Sequence, residues 1–565
     1  MASVDKLNIF DTPLTKLLKL LKLERKEIGY IYFYAILAGL LQLSVPLGIQ
    51  AIINFVLAGA VSTSMILLIC FVVLGVFFDG FLQIKQLKVI EKIQQKVFAR
   101  YSLDFAYRIP KLNLIEVDGY YLPELVNRFF DIVVLQKSLS KLLLDIPTAV
   151  IQLIFGLILL SLYANVFIIF SIILVIILII IISTTARQGL ATSLEESDYK
   201  YEVAGWLQEV SRVFKSFHFA SGSRLPIDKT DGLVSKYIGA RTKHFKVLLF
   251  QYWTLIGFKV LITAAMLILG SILLVNNTIN VGQFVASEIV IITVLASIEK
   301  LIRSLDKVYD LLTSLEKLSK ITDKPMETAG TLDLVGNGGI GVQFSNVNFG
   351  YTSDLQVLND ISFNIEKGQK VCIMGADGSG KSTLGLLLSG TVLSYDGNIN
   401  FNGIPLGNYR ADTFRGQLGL MFHNQDVFQG SLLENINLRS QFVTVPQIMQ
   451  VARKIGFKGL ITQFKMGFDE ELDPTGRRLA ISQKHKILLL RALVGNPSLL
   501  ILEEPWERLD HATKLLIFNY IFNEIPDVTV FVISNDVDFA KKCDHVIVLD
   551  EGKIISQGTP TEIPF

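Results

Sequence analysis

Two features predict a two-part fold, in which an α-helical membrane domain of six transmembrane helices with long cytoplasmic extensions precedes an α/β P-loop domain. The first is a set of six apolar stretches within the first 300 of 565 residues. The second is Gly375-Ala-Asp-Gly-Ser-Gly-Lys-Ser-Thr383, which fits G-x-x-x-x-G-K-[ST] and lies between a strand pattern and a helix pattern. Composition agrees. Hydrophobic residues make up 51% and charged residues 18%, and mean hydropathy is +0.48, too apolar for an ordinary soluble protein. A formal net charge of +2 supplies no global basic field, so no nucleic-acid partner is expected.

Residues 1–28 form an N-terminal segment whose Leu/Lys mixture (Leu14, Lys16, Leu17, Leu18, Lys19, Leu20, Leu21, Lys22, Leu23) reads as a basic amphipathic helix on the inner membrane surface, with lipid as its partner. An ordinary solvated helix is the alternative. The membrane domain covers 29–324, with apolar stretches at about 30–56, 64–84, 143–163, 164–184, 248–275 and 281–299, each near the ~20 residues that a spanning helix needs. Tyr163-Ala164-Asn165 and 276–280 are short turns, whereas 85–142 and 185–247 are long and rich in Lys and Arg. Positive charge marks the inner side, so the long segments and both termini are expected in the cytoplasm. Periodic apolar positions make those segments helical hairpins, broken at Gly119-Tyr120-Tyr121 and Ser221-Gly222-Ser223. Cys70, Cys372 and Cys543 have no metal-like spacing and read as small apolar fillers.

Residues 325–339 read as a Gly-containing linker, and strand patterns begin near 340 with 341–349, 361–365 and 397–401. In the P-loop, glycines let backbone N–H groups turn inward on the α- and β-phosphates of a nucleoside triphosphate. Lys381 then reaches the β/γ oxygens, Ser382 is a ligand for Mg²⁺, and the following helix presents its positive end. Gly375, Ala376, Asp377, Gly378, Ser379, Gly380, Lys381, Ser382 and Thr383 are therefore the candidate ATP-binding set.

The order of motifs resembles the ATP-binding cassette (ABC) transporters across essentially the whole chain, with 340–565 as the nucleotide-binding cassette. Six spans fused to one cassette resemble an exporter half-transporter, which implies a second half and two ATPs shared between the cassettes. The resemblance further implies that Tyr351 stacks on adenine and that Leu499-Leu-Ile-Leu-Glu-Glu504 is the Walker B strand. Glu503 then supports Mg²⁺, Glu504 is the catalytic base, and Asp510 belongs to the D-loop. Departures accumulate around these. The Q-loop glutamine position falls on His423, with Gln425 two residues late. The signature Leu-Ser-Gly-Gly-Gln, which faces the partner's ATP, reads Leu479-Ala480-Ile481-Ser482-Gln483, anchored by Gly476 and Arg491-Ala-Leu493. Ala480 lacks a hydroxyl and β-branched Ile481 resists close backbone approach. The switch histidine is Asn535, which has no cationic form near neutral pH.

Losing one oxyanion-type donor costs roughly 10²–10³ in rate, so turnover at sites built from these elements is expected to be slow while ATP binding persists. The favoured assembly is a heterodimer with a more conventional half-transporter, over a slow homodimer. The membrane segments 45–54 and 105–110 resemble type I protein-secretion and peptide exporters, which implies peptide, protein or lipid cargo and a bacterial inner-membrane location. About 28 residues before the first span leave no room for a peptidase domain. A regulatory pseudo-transporter with structural ATP is the competing reading, and a membrane-anchored P-loop kinase is disfavoured by motif order.

Overall fold

The computed structural model describes residues 11–59, 63–119, 121–220, 222–327, 330–334, 338–352, 355–438 and 443–565. Tyr120 and Ser221, parts of the expected hairpin breaks, and residues 1–10 of the expected interfacial segment lie outside the described residues. Taken over those residues, the chain folds as two units. One comprises Met1–Lys111 and Tyr120–Lys324, the other Leu112–Gly119 and Pro325–Phe565.

The first unit is helical: α1 (Asp11–Leu23), α2 (Arg25–Gln42), α3 (Ser44–Leu57), α4 (Thr63–Arg108), then α6 (Leu122–Val126), α7 (Asp131–Tyr163), α8 (Val166–Arg212), α9 (Phe214–Phe219), α10 (Leu225–Val275) and α11 (Val281–Thr322). Among the described residues six segments are long and apolar enough to cross a membrane: Arg25–Leu57, Thr63–Lys111, Leu122–Tyr163, Val166–Arg212, Leu225–Val275 and Val281–Thr322. A helix satisfies its own backbone donors and acceptors, which is why apolar runs in lipid take this form. The first segment breaks at Leu43, between α2 and α3. Pro46 lies four residues after Gln42 and has no N–H to offer the Gln42 carbonyl. The 47 residues of α8 and 51 of α10 span about 70 Å or more at ~1.5 Å per residue, well beyond a ~30 Å hydrocarbon core. The charged segments are thus continuous helical extensions rather than loose loops.

Buried charges in this unit are paired. Glu24, 2% exposed, accepts from Lys96 at 3.1 Å and Arg100 at 2.6 Å. Lys16 of α1 bonds Glu316 of α11 and Asp323 just beyond its end at 3.2 and 3.1 Å, while Leu18 and Leu23 of α1 stay exposed. The N-terminal helix therefore has a charged tether as well as an outward apolar face.

The second unit includes α5 (Leu114–Asp118), which sequence analysis placed in the membrane domain. Asn113 caps α5 by accepting from the Ile115 N–H, and the Asn113 N–H donates to the Pro325 carbonyl. Leu114 and Ile115 pack against the core around Phe344, Phe401 and Phe414. A short amphipathic helix within a long hairpin carries no sequence mark of which body it joins. The expected linker is also tied down. The Gly330 and Leu332 N–H groups donate to the Tyr409 and Asn408 carbonyls, and Leu334 is buried in the same core. Residues 328–329 and 335–337 of that linker are outside the described residues.

Two sheets frame this unit. β1 (Val342–Thr352), β2 (Leu355–Ile365), β4 (Asp396–Phe401) and β5 (Ile404–Pro405) form an antiparallel sheet in the order β2-β1-β4-β5. β3 (Lys370–Gly375), β6 (Leu418–Met421), β9 (Leu499–Glu503), β10 (Thr529–Ile533), β11 (His545–Asp550) and β12 (Lys553–Gly558) form the second, β12-β11-β3-β10-β9-β6, in which only β12 runs antiparallel. Between them run α12 (Lys381–Leu388), α13 (Ala411–Gly416), α14 (Leu432–Ile436), α15 (Val445–Lys454), α16 (Lys458–Thr462), α17 (Ile481–Leu493), α18 (His511–Asn519) and α19 (Val537–Ala540), with β7 (Gly430–Ser431) paired to β8 (Glu471–Leu472). Both faces of the parallel sheet are covered, so its strands are near-continuous apolar runs such as Leu499-Leu-Ile-Leu502, all fully buried. Cys372 and Cys543 are buried fillers as expected, whereas Cys70 is exposed on the membrane helix α4.

Candidate nucleotide-binding site

The site sits where open α/β sheets place ligands, at the carboxyl ends of parallel strands. Here β3, β9 and β10 end at Gly375, Glu503 and Ile533. Gly375 has φ of 148° and packs so tightly that a Cβ would fall 2.1 Å from the Leu549 carbonyl oxygen. Gly380, at φ 98°, turns the chain into α12. Lys381 Nζ donates to the Gly375 and Ala376 carbonyls at 2.7 Å each, folding the ammonium across the loop.

Ser382 Oγ donates to Glu503 Oε1 at 2.5 Å, and Glu503 Oε2 accepts the His423 backbone N–H at 2.9 Å. The extra methylene of Glu503, relative to the aspartate expected there, still brings its carboxylate to Ser382. Tyr351 ends near α12, its hydroxyl 3.3 Å from Thr383 Oγ1 and its ring edge-on to Phe349. The cradle suits a phosphate chain with a hard divalent cation. Gly378 faces open space, Ser379 Oγ is buried with no hydrogen-bond partner among the described residues, and Ser382 and Glu503 converge two oxygen ligands.

Glu504 has a left-handed φ of 42°, and its N–H donates to the Ile533 carbonyl. Its carboxylate accepts from Ser534 Oγ at 2.8 Å. Burial raises its pKa above the ordinary carboxylate value, opposed by the Ser534 hydroxyl and the Asn535 N–H. A half-buried, hydrogen-bonded acid beside the P-loop is what a general base requires. Ser534 escaped sequence analysis, because one serine after a strand has no distinctive signal.

Asn535 is exposed, yet both ends of its carboxamide are engaged. Its Oδ1 accepts from the Gly375 N–H and its Nδ2 donates to the Gly375 carbonyl, both at 3.0 Å. The His423 imidazole turns away from Glu503, with Nδ1 3.7 Å from Glu507 and the side chain 68% exposed. Gln425 bonds the Phe422 carbonyl only through its backbone N–H, and its buried Oε1 has no hydrogen-bond partner among the described residues. Asp510 caps α18, accepting from Thr513 N–H and Oγ1 at 2.8 and 2.7 Å.

Residues 479–483 lie apart. Leu479 packs into the core, Ala480 is the N-cap of α17, and its N–H donates to Gln483 Oε1 at 2.9 Å. Ile481 is 63% exposed, Ser482 is partly buried, and Gln483 donates to Gln463 at 3.0 Å. Among the described residues no hydrogen bond or ion pair joins 479–483 to 375–383. Buried Arg491 of α17 instead donates to the Asn435 and Asp426 carbonyls at 2.7 and 3.2 Å, which ties this helix to the segment after β6.

Residues 358–507 match the ABC transporter family model. The chain is 28% identical over 296 residues to the alpha-hemolysin translocation ATP-binding protein HlyB of Escherichia coli O157:H7, covering 52% of this chain and 42% of that protein. It is 31% identical over 222 residues to the heterocyst differentiation ATP-binding protein HepA of Nostoc sp., covering 39% and 37%. The chain thus spans less than half the length of these relatives. A solved bacterial Atm1-family ABC exporter with ATP bound has the same fold, with a TM-score of 0.86, 19% identity and 95% of each chain covered. Residues 358–507 are therefore an ABC transporter domain, a domain that binds ATP with Mg²⁺, in a membrane protein whose described residues include six helices long and apolar enough to span and whose fold is that of the solved exporter.

Proposed function

We propose that this chain is the ATP-holding half of an ABC exporter in which a second half-transporter supplies most of the hydrolytic chemistry. The observation that carries this reading is the contrast at one strand end. The P-loop cradle, Ser382 and Glu503 are assembled, while the switch position is spent on the P-loop backbone and the Q-loop imidazole faces Glu507.

In this reading the inward N–H groups of 376–381 and the Lys381 ammonium hold the phosphates, and Tyr351 offers its ring to adenine. Ser382 and Glu503 would hold Mg²⁺, which offsets phosphate charge when bound. Glu504, kept in place by Ser534, orients water as a base. Its partners across the composite site would be the other chain's signature residues. In the reciprocal site Leu479, Ala480, Ile481, Ser482 and Gln483 would face the partner's ATP, with Asp510 holding the D-loop, and there the missing hydroxyl and the bulk of Ile481 slow turnover. A heterodimer accounts for this asymmetry better than a homodimer, which would carry both weaknesses in both sites.

Relatives named for hemolysin and toxin translocation support polypeptide as the cargo class, with the cassette and both termini on the cytoplasmic side of a bacterial inner membrane. The test is ATP binding and ATPase of the chain alone in lipid vesicles. Binding with little turnover is expected, and turnover should rise when a conventional half-transporter is co-purified. Brisk turnover by the chain alone, abolished by Glu504→Gln, would restore the homodimer.

A further inference from the structure

We propose that Asn535 has exchanged γ-phosphate sensing for a positioning role: its carboxamide clamps Gly375 and holds the P-loop in its binding shape before nucleotide arrives. This rests on the P-loop being the ATP site. β10 pairs with β3 in parallel up to Ile533↔Ile373, and the Ser534 N–H continues the ladder to the Ile373 carbonyl. The Asn535 side chain then takes over from the backbone, pairing with both the N–H and the C=O of Gly375 at 3.0 Å. Side-by-side oxygen and nitrogen on one carbon match the adjacent donor and acceptor of a single residue. An imidazole, whose nitrogens diverge around a ring, lacks that match.

The clamp has a second consequence. The Gly375 carbonyl also accepts from Lys381, whose three N–H donors must be divided between this loop and phosphate oxygens. With Asn535 in place, that carbonyl keeps a partner whichever way the lysine donors are divided, so turning them to phosphate does not strand a polar group. The loop is preorganised, and a bound ATP should leave slowly.

The experiment uses the full-length chain in lipid nanodiscs with N-methylanthraniloyl-ATP as probe, reading Kd and dissociation rate. Asn535→Ala should raise both about tenfold, as expected for two lost neutral hydrogen bonds. Asn535→Asp keeps the shape but presents an acceptor to the Gly375 carbonyl, in a neighbourhood charged by Lys381, Glu504 and Asp536. It should bind weakly at pH 8 and recover relative to the unsubstituted chain on acidification, because the protonated acid carries an O–H donor beside a carbonyl and rebuilds both bonds. That recovery also shows that the variant is folded. An unchanged Kd and dissociation rate in Asn535→Ala, or no acid recovery in Asn535→Asp, would overturn the clamp. Lys381→Ala separates the two ideas: if it binds the probe as the unsubstituted chain does, the assignment of the ATP site is what fails.

Discussion

The P-loop and the proposed signature segment, 479–483, differ sharply within one fold. Around 375–383 each polar group is engaged or poised: Lys381 lies across two carbonyls, Ser382 reaches Glu503, and Asn535 holds Gly375. Around 479–483 the helix starts with Ala480 as N-cap and Arg491 anchors α17, but position 480 has no hydroxyl and Ile481 is exposed. The difference teaches that, on the proposed reading, fold and chemistry separate at this segment: Leu479 and Arg491 keep its packing without the polar groups that would meet a phosphate.

The largest expected effect attacks the well-built side. Lys381→Ala removes the charge-assisted contacts to phosphate and should weaken ATP binding by about a hundredfold, measured by isothermal titration calorimetry or a fluorescent analogue. Undiminished affinity would break the comparison at its stronger end. Next is Gly375→Ala. Its Cβ would collide with the Leu549 carbonyl, so a loss of about 2 kcal/mol or more is expected, read as a lower melting temperature of the purified chain together with weaker ATP binding.

The other side is sharpened by repair. Ala480→Ser with Ile481→Gly should raise ATPase in the assembled transporter by about tenfold, with the chain's own ATP affinity unchanged, since 479–483 make no polar contact with 375–383 among the described residues. No gain in turnover would mean that the signature is not what limits the rate.

The smallest effect is a pH dependence near the signature helix. His485 is half-buried with Nε2 2.9 Å from the Pro505 carbonyl, and burial lowers its pKa below the ordinary 6.5. The unfolded chain then binds the proton more readily, so this contribution to stability is present above pH 6.5 and lost as pH falls through the folded value. His485→Gln should flatten the acid side of a melting-temperature profile slightly.

Much of this was legible in residue order. The six spans, the turns at 163–165 and 276–280, and the strand–P-loop–helix unit follow from apolar run length, charge placement and glycine spacing. The strand at 499–503 was legible too, because a run of four apolar residues marks a strand buried on both faces. Less legible were Ser534 behind Glu504, the outward turn of His423 and the seating of α5 among cassette residues. Each depends on which backbone groups lie across a gap in space, and none alters a periodicity. The linker shows the same limit. Its composition suggests a tether, yet 330–334 bonds the 408–410 segment through main-chain hydrogen bonds and an Asp333–Arg410 ion pair at 3.4 Å.

What the sequence determined by itself is the division of labour between lipid and water and the presence of a phosphate cradle, since run length and glycine spacing act locally. What only the tertiary structure decided is where the Asn535 side chain is bound. Asn535 and Gly375 are 160 positions apart, and only the parallel pairing of β10 with β3 brings a carboxamide against one glycine's N–H and C=O. Hydrogen bonds between distant residues require that register, and register is a property of the folded sheet.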